Sequence, residues 1–140
     1  MARGFQAMPQ FKGKILMPRR QTHFSAGYDI HSAQDAVVPP KQMKVVRTGL
    51  TAYMENDEEL QIRARSGLAY RHMITLMNSP ATIDADYFGN EIKLLVLNLG
   101  DEDFVIQRGD RIAQGIFSRY LKADDDTPVE NLRQGGFGST

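Results

Sequence analysis

The sequence predicts an all-β fold, a single-domain β-sandwich of the jelly-roll-like kind. Three observations support it: the chain is the size of one domain, its apolar runs are short, and one segment only has helical character. The chain has 140 residues, of which 41% are hydrophobic and 24% are charged, as in ordinary globular domains. Its 12 glycines and 6 prolines separate the apolar runs, which is typical of proteins built from many short strands.

Short strands and one helix are predicted along the chain. In chain order, the predicted elements are strands at Lys14–Met17, Lys44–Arg47, Leu50–Met54, Leu60–Ala64, Ile92–Leu99, Phe104–Ile106 and Ile112–Tyr120, and a helix from Ser66 to about Met73. Thr48-Gly49 is predicted to be a turn, and Leu60 and Ile62 alternate with polar residues, as in a half-buried strand. The run Ile92–Leu99 is almost wholly apolar, which predicts a strand buried on both faces. An Arg108-Gly109-Asp110 turn precedes the last strand.

Two parts of the chain are distinguished by composition. Residues 1–122 are predicted to form the core, and residues 123–140 a loop and a flexible C-terminal arm. Ala123–Thr127 contains three consecutive aspartates, which is typical of a solvated loop. Gln134–Thr140 is rich in glycine and hydroxyl residues, which favours a flexible tail. Phe137 is the exception in this tail, because an aromatic ring on a flexible arm is able to stack on a planar base.

Composition argues against several functional classes. The 17 basic and 17 acidic residues cancel, so the chain lacks the basic excess of a general nucleic-acid binder. No apolar run approaches the ~20 residues that a membrane-spanning helix needs, and Met1–Phe11 has no unbroken apolar stretch that would make it a secretory signal. The absence of cysteine excludes disulfides and thiolate zinc sites. We expect a cytoplasmic protein.

Two segments carry residues suited to phosphate and water chemistry, although each is ambiguous alone. Arg65-Ser66-Gly67 offers a guanidinium, a hydroxyl and a glycine where a strand ends, which suits a phosphate group. A solvated arginine in a common turn is the simpler interpretation of that segment. Asp84 and Asp86 would share one face of an extended segment and would suit a general base with a metal or structural partner. A turn in which aspartates bond the backbone is the alternative.

Three further segments are equally ambiguous by themselves. Gly109–Gln114 is predicted to be a hairpin turn in which Asp110 and Arg111 form an ion pair. Ala26–Ile30 is predicted to be a bend before a strand. Gly135–Thr140 offers backbone N–H groups and two hydroxyls, which suit an anion.

Taken in order, these five segments resemble the five motifs of the trimeric dUTPase family. The segments are AGYDI (residues 26–30), RSGLA (65–69), NSPATIDADYFG (78–89), RGDRIAQ (108–114) and RQGGFGST (133–140). The resemblance implies a homotrimer that uses Mg²⁺ to split dUTP into dUMP and pyrophosphate. It also implies that each active site takes motifs from three subunits, with the arm closing over a neighbouring subunit's site.

The resemblance also implies roles for individual residues. Asp84 would be the general base for the water that attacks the α-phosphorus, and Tyr87 would pack on the deoxyribose and exclude a 2′-hydroxyl. Uracil-binding positions in a tight hairpin would be Asn78, Thr82 and Ile83, with Lys93 closing the pocket from below. Phosphate-binding positions would be Arg65, Ser66, Gly67 and Gln114, and Asp29 would hold Mg²⁺ through water. In the arm, the substrate-binding positions would be Arg133, Gly136, Phe137, Ser139 and Thr140, with Phe137 over the uracil.

The chain departs from the family pattern at four places. Ala64 stands where a proline is usual before the second motif, and Ala81 where a glycine is usual in the third. Asn90 is one extra residue between Gly89 and Glu91, and the fifth motif is shortened around Gln134. These departures concern the register of the arm and of Lys93.

Three other functions are alternatives to a dUTPase. Related dCTP deaminases share the fold but are expected to lack the pairing of Asp84 with Tyr87 and the Phe137 tail. A binding or regulatory role, with a repressor-type protein partner and a location in the host cytoplasm, would apply if a phage encodes the protein. A purely structural β-domain would leave the five ordered motifs unexplained.

Overall fold

The computed structural model describes residues 1–129 and 135–138. Within these residues the chain forms ten strands, one α-helix and two short 3₁₀ helices. The strands are β1 Gly4–Ala7, β2 Tyr28–His31, β3 Ala36–Val38, β4 Met43–Tyr53, β5 Glu58–Arg63, β6 Ile74–Leu76, β7 Ala81–Asp84, β8 Ile92–Asn98, β9 Phe104–Ile106 and β10 Arg111–Arg119. The helices are α1 Ser66–His72 and the 3₁₀ helices Pro9–Phe11 and Ala85–Tyr87.

The strands form a two-layer antiparallel sandwich, which confirms the predicted fold class. One four-stranded sheet has the order β1-β4-β8-β6, the other has the order β2-β10-β5-β7, and β3 pairs with β9 beside them. Inward-facing aliphatic side chains of both sheets fill the space between them, as in other β-sandwiches. The largest fully buried apolar side chains are Ile30, Leu50, Leu60, Ile62, Ile74, Ile92, Leu94, Ile106, Val38, Val46 and Val96.

The first strand does not lie where the sequence predicted it. The predicted Lys14–Met17 strand is wrong, because Lys14 N–H donates to Phe11 O at 2.8 Å and Gly13 has a left-handed φ of 76°. These features make a turn that an extended chain does not contain. The strand is β1 instead, which pairs with the end of β4 from Gly4 opposite Tyr53 to Ala7 opposite Leu50.

The predicted turn at Thr48-Gly49 is a bulge within one long strand. The pairing of β4 with β8 shifts register between Arg47 and Leu50, and Gly49 there has φ 69°. The Thr48 hydroxyl donates to Ile92 O and accepts from Leu50 N–H at 3.1 Å, so it replaces part of the interrupted ladder. A β-bulge therefore bends the strand without ending it.

Within one chain, strand β8 is buried on one face only, whereas the sequence predicted burial on both faces over Ile92–Leu99. Ile92, Leu94 and Val96 point into the core with at most 1% exposure, whereas Lys93 is exposed. The intervening leucines of the strand are half-buried. An antiparallel sheet with one face on the core has this alternation, whereas the apolar run had pointed to a sheet covered on both sides.

An ion pair joins the N-terminal segment to β5. Glu58 is buried, with 4% exposure. Its two carboxylate oxygens accept hydrogen bonds from Arg3 Nε at 3.0 and 2.9 Å. The Arg3 guanidinium and the Glu55 backbone N–H lower the pKa of Glu58. Phe5 of β1 packs beside Tyr28 and Phe117 with ring centroids 5.7 and 5.3 Å away.

The short helix is confirmed and begins where predicted. It runs from Ser66 to His72, and Met73 ends it in the left-handed conformation with φ 55°. After β10 the residues up to Val129 are exposed, in agreement with a solvated Ala123–Thr127 loop. No helix within residues 1–129 and 135–138 has the length and apolar character needed to span a membrane.

Candidate active site

The first group of site residues surrounds Asp29 of β2. Asp29 is 7% exposed, and its carboxylate forms ion pairs with Arg65 Nε at 3.4 Å and Arg111 Nη1 at 3.2 Å. Gln21 Nε2 donates to the same carboxylate at 2.8 Å. Two guanidinium groups from different parts of the chain are therefore held side by side by one buried acid. We call Asp29, Arg65, Arg111 and the neighbouring Gln114 the cationic group.

Gln114 reaches this group because Gly27, the residue before β2, has no side chain. Gln114 Nε2 donates to the Ala64 carbonyl at 3.1 Å, just before Arg65. A Cβ on Gly27 would overlap the Gln114 side chain, with Gln114 Cδ at 3.0 Å. The glycine of AGYDI thus allows the close approach that places the Gln114 amide beside the guanidinium groups.

The predicted phosphate segment opens onto free space. Ser66 is the first residue of α1 and is exposed, and a Cβ on Gly67 would have no heavy atom within 4 Å. Arg65 ends the extended segment before the helix and has a side chain 24% exposed. A hydroxyl, backbone amides and a guanidinium therefore border one open surface, which suits an anionic group.

Arg111 belongs to this group, although the sequence analysis did not assign it there. The predicted Asp110–Arg111 ion pair is wrong, because Asp110 Oδ2 accepts from Gln107 N–H at 2.8 Å and so caps the turn before β10. Arg111 instead lies opposite His31 in the β2–β10 pairing, which brings it to Asp29. Only the register of two strands distant in sequence gives this placement.

His31 borders the cationic group on the same face of β2. Its Nδ1 atom is buried and has no hydrogen-bond partner among the described residues. Burial lowers the pKa of His31, the nearby Asp29 charge opposes this, and Arg111 and Arg65 lower it further. The imidazole is therefore held in its neutral form over a wider pH range than a solvated histidine.

The second group of site residues lies at β7, an edge strand of the same β2-β10-β5-β7 sheet. Asp84 ends β7, which is the edge strand next to β5, and it lies opposite Glu59. Asp84 and Asp86 would share a face only in an extended segment, and that condition is not met because Asp86 belongs to the 3₁₀ helix that follows β7. Both carboxylates still border a depression of about 370 Å³ that Asn56 and Tyr120 also line.

Tyr87 completes this second group, which we call the carboxylate–tyrosine group. Its hydroxyl donates to Glu91 O at 2.8 Å, and its ring is partly buried against the core. Gly136 of the C-terminal arm lies on the ring, since a Cβ there would come within 2.8 Å of Tyr87 Cε1. The arm therefore touches the carboxylate–tyrosine group of its own chain.

The predicted tight hairpin is not formed by β6 and β7, the strands on either side of Asn78. Asn78 lies in the connection between β6 and β7, and these strands belong to different sheets. Asn78 and Thr82 are exposed, and Ile83 is half-buried beside Asp84. Lys93 is exposed on β8 in the opposite sheet, opposite Arg47. The segment thus joins the two layers of the sandwich.

Part of the predicted arm site is described. Phe137 is 65% exposed with φ 53° and follows Gly136. Arg133, Ser139 and Thr140 lie outside the described residues.

A single chain keeps its two groups apart. Asp84 is opposite Glu59 at one end of β5, whereas Arg65 follows Arg63 at the other end. Six residues from Glu59 to Arg65, at ~3.3 Å per extended residue, correspond to roughly 20 Å. The fold therefore does not place the general-base candidate beside the cationic group of the same chain.

No group of three or more potential metal ligands from His, Asp and Glu occurs in residues 1–129 and 135–138. Asp29 alone represents the predicted metal position, and its carboxylate already binds two guanidinium groups. Such a donor set does not form a protein cage for Mg²⁺. It fits an ion that keeps its waters and is bound mainly by phosphate oxygens.

The fold and these two groups define an all-β protein with a polar, anion-compatible site. A model of the dUTPase family matches residues 13–140. Among named relatives, the deoxyuridine 5'-triphosphate nucleotidohydrolase of Helicobacter pylori is 43% identical over 129 residues, covering 89% of this chain and 88% of that protein. The enzyme of the same name from Wolinella succinogenes is 47% identical over 130 residues, covering 89% and 86%.

Solved structures agree with this relationship. The dUTPase from Streptococcus mutans has a TM-score of 0.81 and 31% identity, covering 86% of this chain and 98% of that one. The dUTPase from phage phi11 of S. aureus has a TM-score of 0.79 at 18% identity, a likeness of fold alone. The chain belongs to the dUTPase family, as its five motifs predicted.

Proposed function

We propose that the protein hydrolyses dUTP to dUMP and pyrophosphate. Water attacks the α-phosphorus, Asp84 accepts a proton from that water, and the bond from the α-phosphorus to the bridging oxygen breaks as pyrophosphate leaves. The observation that carries this proposal is the pair of groups that β5 separates, one suited to a triphosphate and one to a water and a sugar. Family membership supports the same reaction.

The cationic group is proposed to bind the triphosphate. Arg65 and Gln114 are already oriented by Asp29 and the Ala64 carbonyl, so little side-chain freedom is lost on binding. Ser66 and the backbone at Gly67 face the open surface and would contact the oxygen between the α- and β-phosphates. Guanidinium groups suit this task because they donate two parallel hydrogen bonds to phosphate oxygens.

The carboxylate–tyrosine group is proposed to hold the water and the nucleoside. Asp84 would position the attacking water, and Tyr87 would pack on the deoxyribose and leave no room for a 2′-hydroxyl. The edge position of β7 favours a uracil pocket here, because an edge strand has backbone groups that its own sheet does not pair. The proposed uracil contacts are Asn78, Thr82, Ile83 and Lys93.

The arm is proposed to close the site. Phe137 would cover the uracil, Gly136 would allow the arm to approach the tyrosine ring, and Arg133, Ser139 and Thr140 would bind the γ-phosphate. Closure would exclude bulk water from the reaction. Its contact with Tyr87 in the same chain supports docking at a carboxylate–tyrosine group, and the choice of a neighbouring subunit's group stays a prediction.

Mg²⁺ is proposed to enter with the triphosphate, where it would neutralise phosphate charge. Asp29 would contact it through water, in keeping with the single carboxylate found there. A solved mutant dUTPase from phage phi11 is described with a structural Mg(II) ion.

We also propose a homotrimer in which one chain's cationic group meets another chain's carboxylate–tyrosine group. The separation of the two groups along β5 supports this proposal. A candidate contact surface is the outer face of the β4–β8 sheet, where Val45 and Met77 are 46% and 57% exposed and Leu95 and Leu97 are half-buried. An apolar sheet face of this kind is typical of a surface covered by another copy.

The substrate test compares pyrophosphate release from dUTP, dCTP, dTTP and UTP with Mg²⁺ for the wild type and Asp84→Asn. We expect selective release from dUTP that falls 10²- to 10⁴-fold in the variant, the usual contribution of a general base. Asp103→Asn, an exposed aspartate in the β8–β9 connection, serves as the control and should keep its activity. Equal release from all four nucleotides would contradict the proposed function.

The assembly test compares Val45→Glu with Val37→Glu by size-exclusion chromatography and light scattering. The two valines have similar exposures of 46% and 43%, but Val37 lies on the separate β3–β9 pair. We expect the Val45 variant to shift from trimer to monomer and to lose activity, and the Val37 variant to remain trimeric. A trimeric Val45 variant would place the interface elsewhere.

A cytoplasmic location and a repressor-type partner stay predictions from the sequence.

A further inference from the structure

The turn that follows Tyr87 is held by hydrogen bonds within the turn and to β4. Asn90 donates to Tyr87 O twice, from its backbone N at 3.0 Å and its side-chain Nδ2 at 3.2 Å. Gly89 N–H donates to Thr51 Oγ1 at 2.9 Å. Asn90, the extra residue that follows the third motif, therefore closes this turn.

The Tyr87 hydroxyl is hydrogen-bonded to the backbone of Glu91, a residue with a buried side chain. Tyr87 Oη donates to the backbone carbonyl of Glu91 at 2.8 Å. The Glu91 side chain is 7% exposed and contacts Arg47 and Gly49 of β4. The position of Glu91 therefore depends on side-chain contacts outside the proposed nucleotide-binding residues.

Those partners lie at the bulge of β4. Arg47 donates to the Glu91 carboxylate from Nε at 3.2 Å and from Nη2 at 2.7 Å. Gly49 N–H, which the bulge removes from the regular ladder, donates to Glu91 Oε2 at 3.1 Å. The Arg47 guanidinium lies 4.7 Å from the centre of the Phe11 ring, which covers it on one side. The buried carboxylate is thus fully engaged, and it fixes the backbone to which Tyr87 donates.

We propose that Glu91, held by Arg47, is a positioning residue that sets the Tyr87 ring and so tunes the discrimination between deoxyribose and ribose substrates. This inference rests on the proposed function, which gives the tyrosine ring its role as a steric barrier to the 2′-hydroxyl. A ring rejects a hydroxyl only if it does not move aside, and the hydrogen bond to the Glu91 carbonyl limits that movement. In this proposal Glu91 and Arg47 act through the Tyr87 ring and do not bind the nucleotide themselves.

The kinetic test measures kcat/KM for dUTP and UTP in the wild type and in Glu91→Gln. Glutamine keeps the size of the side chain but removes the charge that binds Arg47. The ratio of the two kcat/KM values is expected to fall roughly three- to tenfold, the range that one net hydrogen bond is worth. The change should arise mainly from a gain with UTP. A ratio equal to that of the wild type would overturn the proposal.

The matched control is Glu58→Gln. Glu58 is also a buried carboxylate with an arginine partner, Arg3, and it has no contact with the Tyr87 turn among the described interactions. Both variants should lower the melting temperature, but only Glu91→Gln should change the substrate ratio. An equal change of the ratio in both variants would show a general loss of stability and would overturn the positioning role.

A double-mutant cycle and a conservative variant test whether Tyr87, Glu91 and Arg47 act together. Tyr87→Phe removes the hydroxyl that donates to Glu91 O, so its effect on the ratio and that of Glu91→Gln should not add. Arg47→Lys keeps the positive charge and should retain part of the discrimination that Arg47→Met loses. Additive effects in the cycle would indicate that the two residues act separately.

A spectroscopic readout separates this inference from the proposed function. With ¹³C-labelled tyrosine, the Tyr87 ring signals, assigned with Tyr87→Phe, should shift in Glu91→Gln and stay in place in Glu58→Gln. If the wild type releases no pyrophosphate from dUTP, the proposed function fails while these signals still report the positioning of the ring. Unchanged Tyr87 signals in Glu91→Gln would overturn the positioning itself.

Discussion

Two inactive variants of this protein should restore activity when they assemble together. Arg65→Ala removes a charged contact from the cationic group, and Asp84→Asn removes the proposed base. The two positions are separated along β5 by roughly 20 Å in one chain, from six residues at ~3.3 Å each. We therefore expect one subunit to supply Arg65 and another to supply Asp84 if the two residues serve the same active site, as proposed above.

The size of the recovery follows from random assembly of a cyclic trimer. In an equal mixture of the two variants, an active site forms only when an Asp84→Asn chain supplies its intact Arg65 and an Arg65→Ala chain supplies its intact Asp84. Each condition holds for half of the subunits, so about one quarter of the sites should be active. If both residues acted within one chain, every site would contain one defect and the mixture would stay inactive.

The assay unfolds an equal mixture in urea, refolds it, and measures pyrophosphate release from dUTP. The variants refolded separately and then combined serve as the control, because their activity measures any recovery that does not need co-assembly. A mixture of wild type with Asp84→Asn calibrates the method and should keep about half of the wild-type activity. No recovery in the co-refolded variants, with the calibration as expected, would refute an active site shared between chains.

Three further predictions concern phosphate binding, pH and the core. Gly27→Ala should raise the KM for dUTP by roughly three- to tenfold in steady-state kinetics, because the new methyl group displaces the Gln114 amide from its position. The pKa of Glu58 is lowered in the folded state, so its charge stabilises the fold above the unfolded pKa of ~4.3, and this stabilisation is lost as the pH falls through the folded pKa. Thermal unfolding should therefore show Glu58→Gln less stable than the wild type at pH 7, with a smaller difference below about pH 4. Leu94→Ala should lower the free energy of unfolding by about 2–5 kcal/mol in urea, whereas Val105→Ala, at a residue 60% exposed, should cost under about 0.5 kcal/mol.

Much of the fold was predictable because its signals are local. The alternation at Leu60 and Ile62, the helix beginning at Ser66 and the last strand all follow from side-chain period and turn residues over a few positions. Motif order also predicted the family, and with it Asp84 and Tyr87 as residues of interest. The error at Lys14–Met17 has the same origin, since an apolar run gives no sign of whether another strand pairs with it.

The partners of site residues could not be predicted from local patterns. The motif resemblance predicts Asp29 as a contact for a hydrated metal ion, and only the fold shows that its carboxylate also binds the guanidinium groups of Arg65 and Arg111, which are far away in sequence. The bulge that receives the Glu91 carboxylate was expected to be a turn, because a single glycine at positive φ fits both.

The sequence by itself determined an all-β domain, its family and the chemical groups present in the site. Tertiary structure decided which of those groups meet. It brought Arg111 to Asp29 through the β2–β10 register, and it placed Asp84 and Arg65 at opposite ends of β5. The physical reason is that side-chain period is set by neighbouring residues, whereas strand register and sheet order are set by the packing of the whole core.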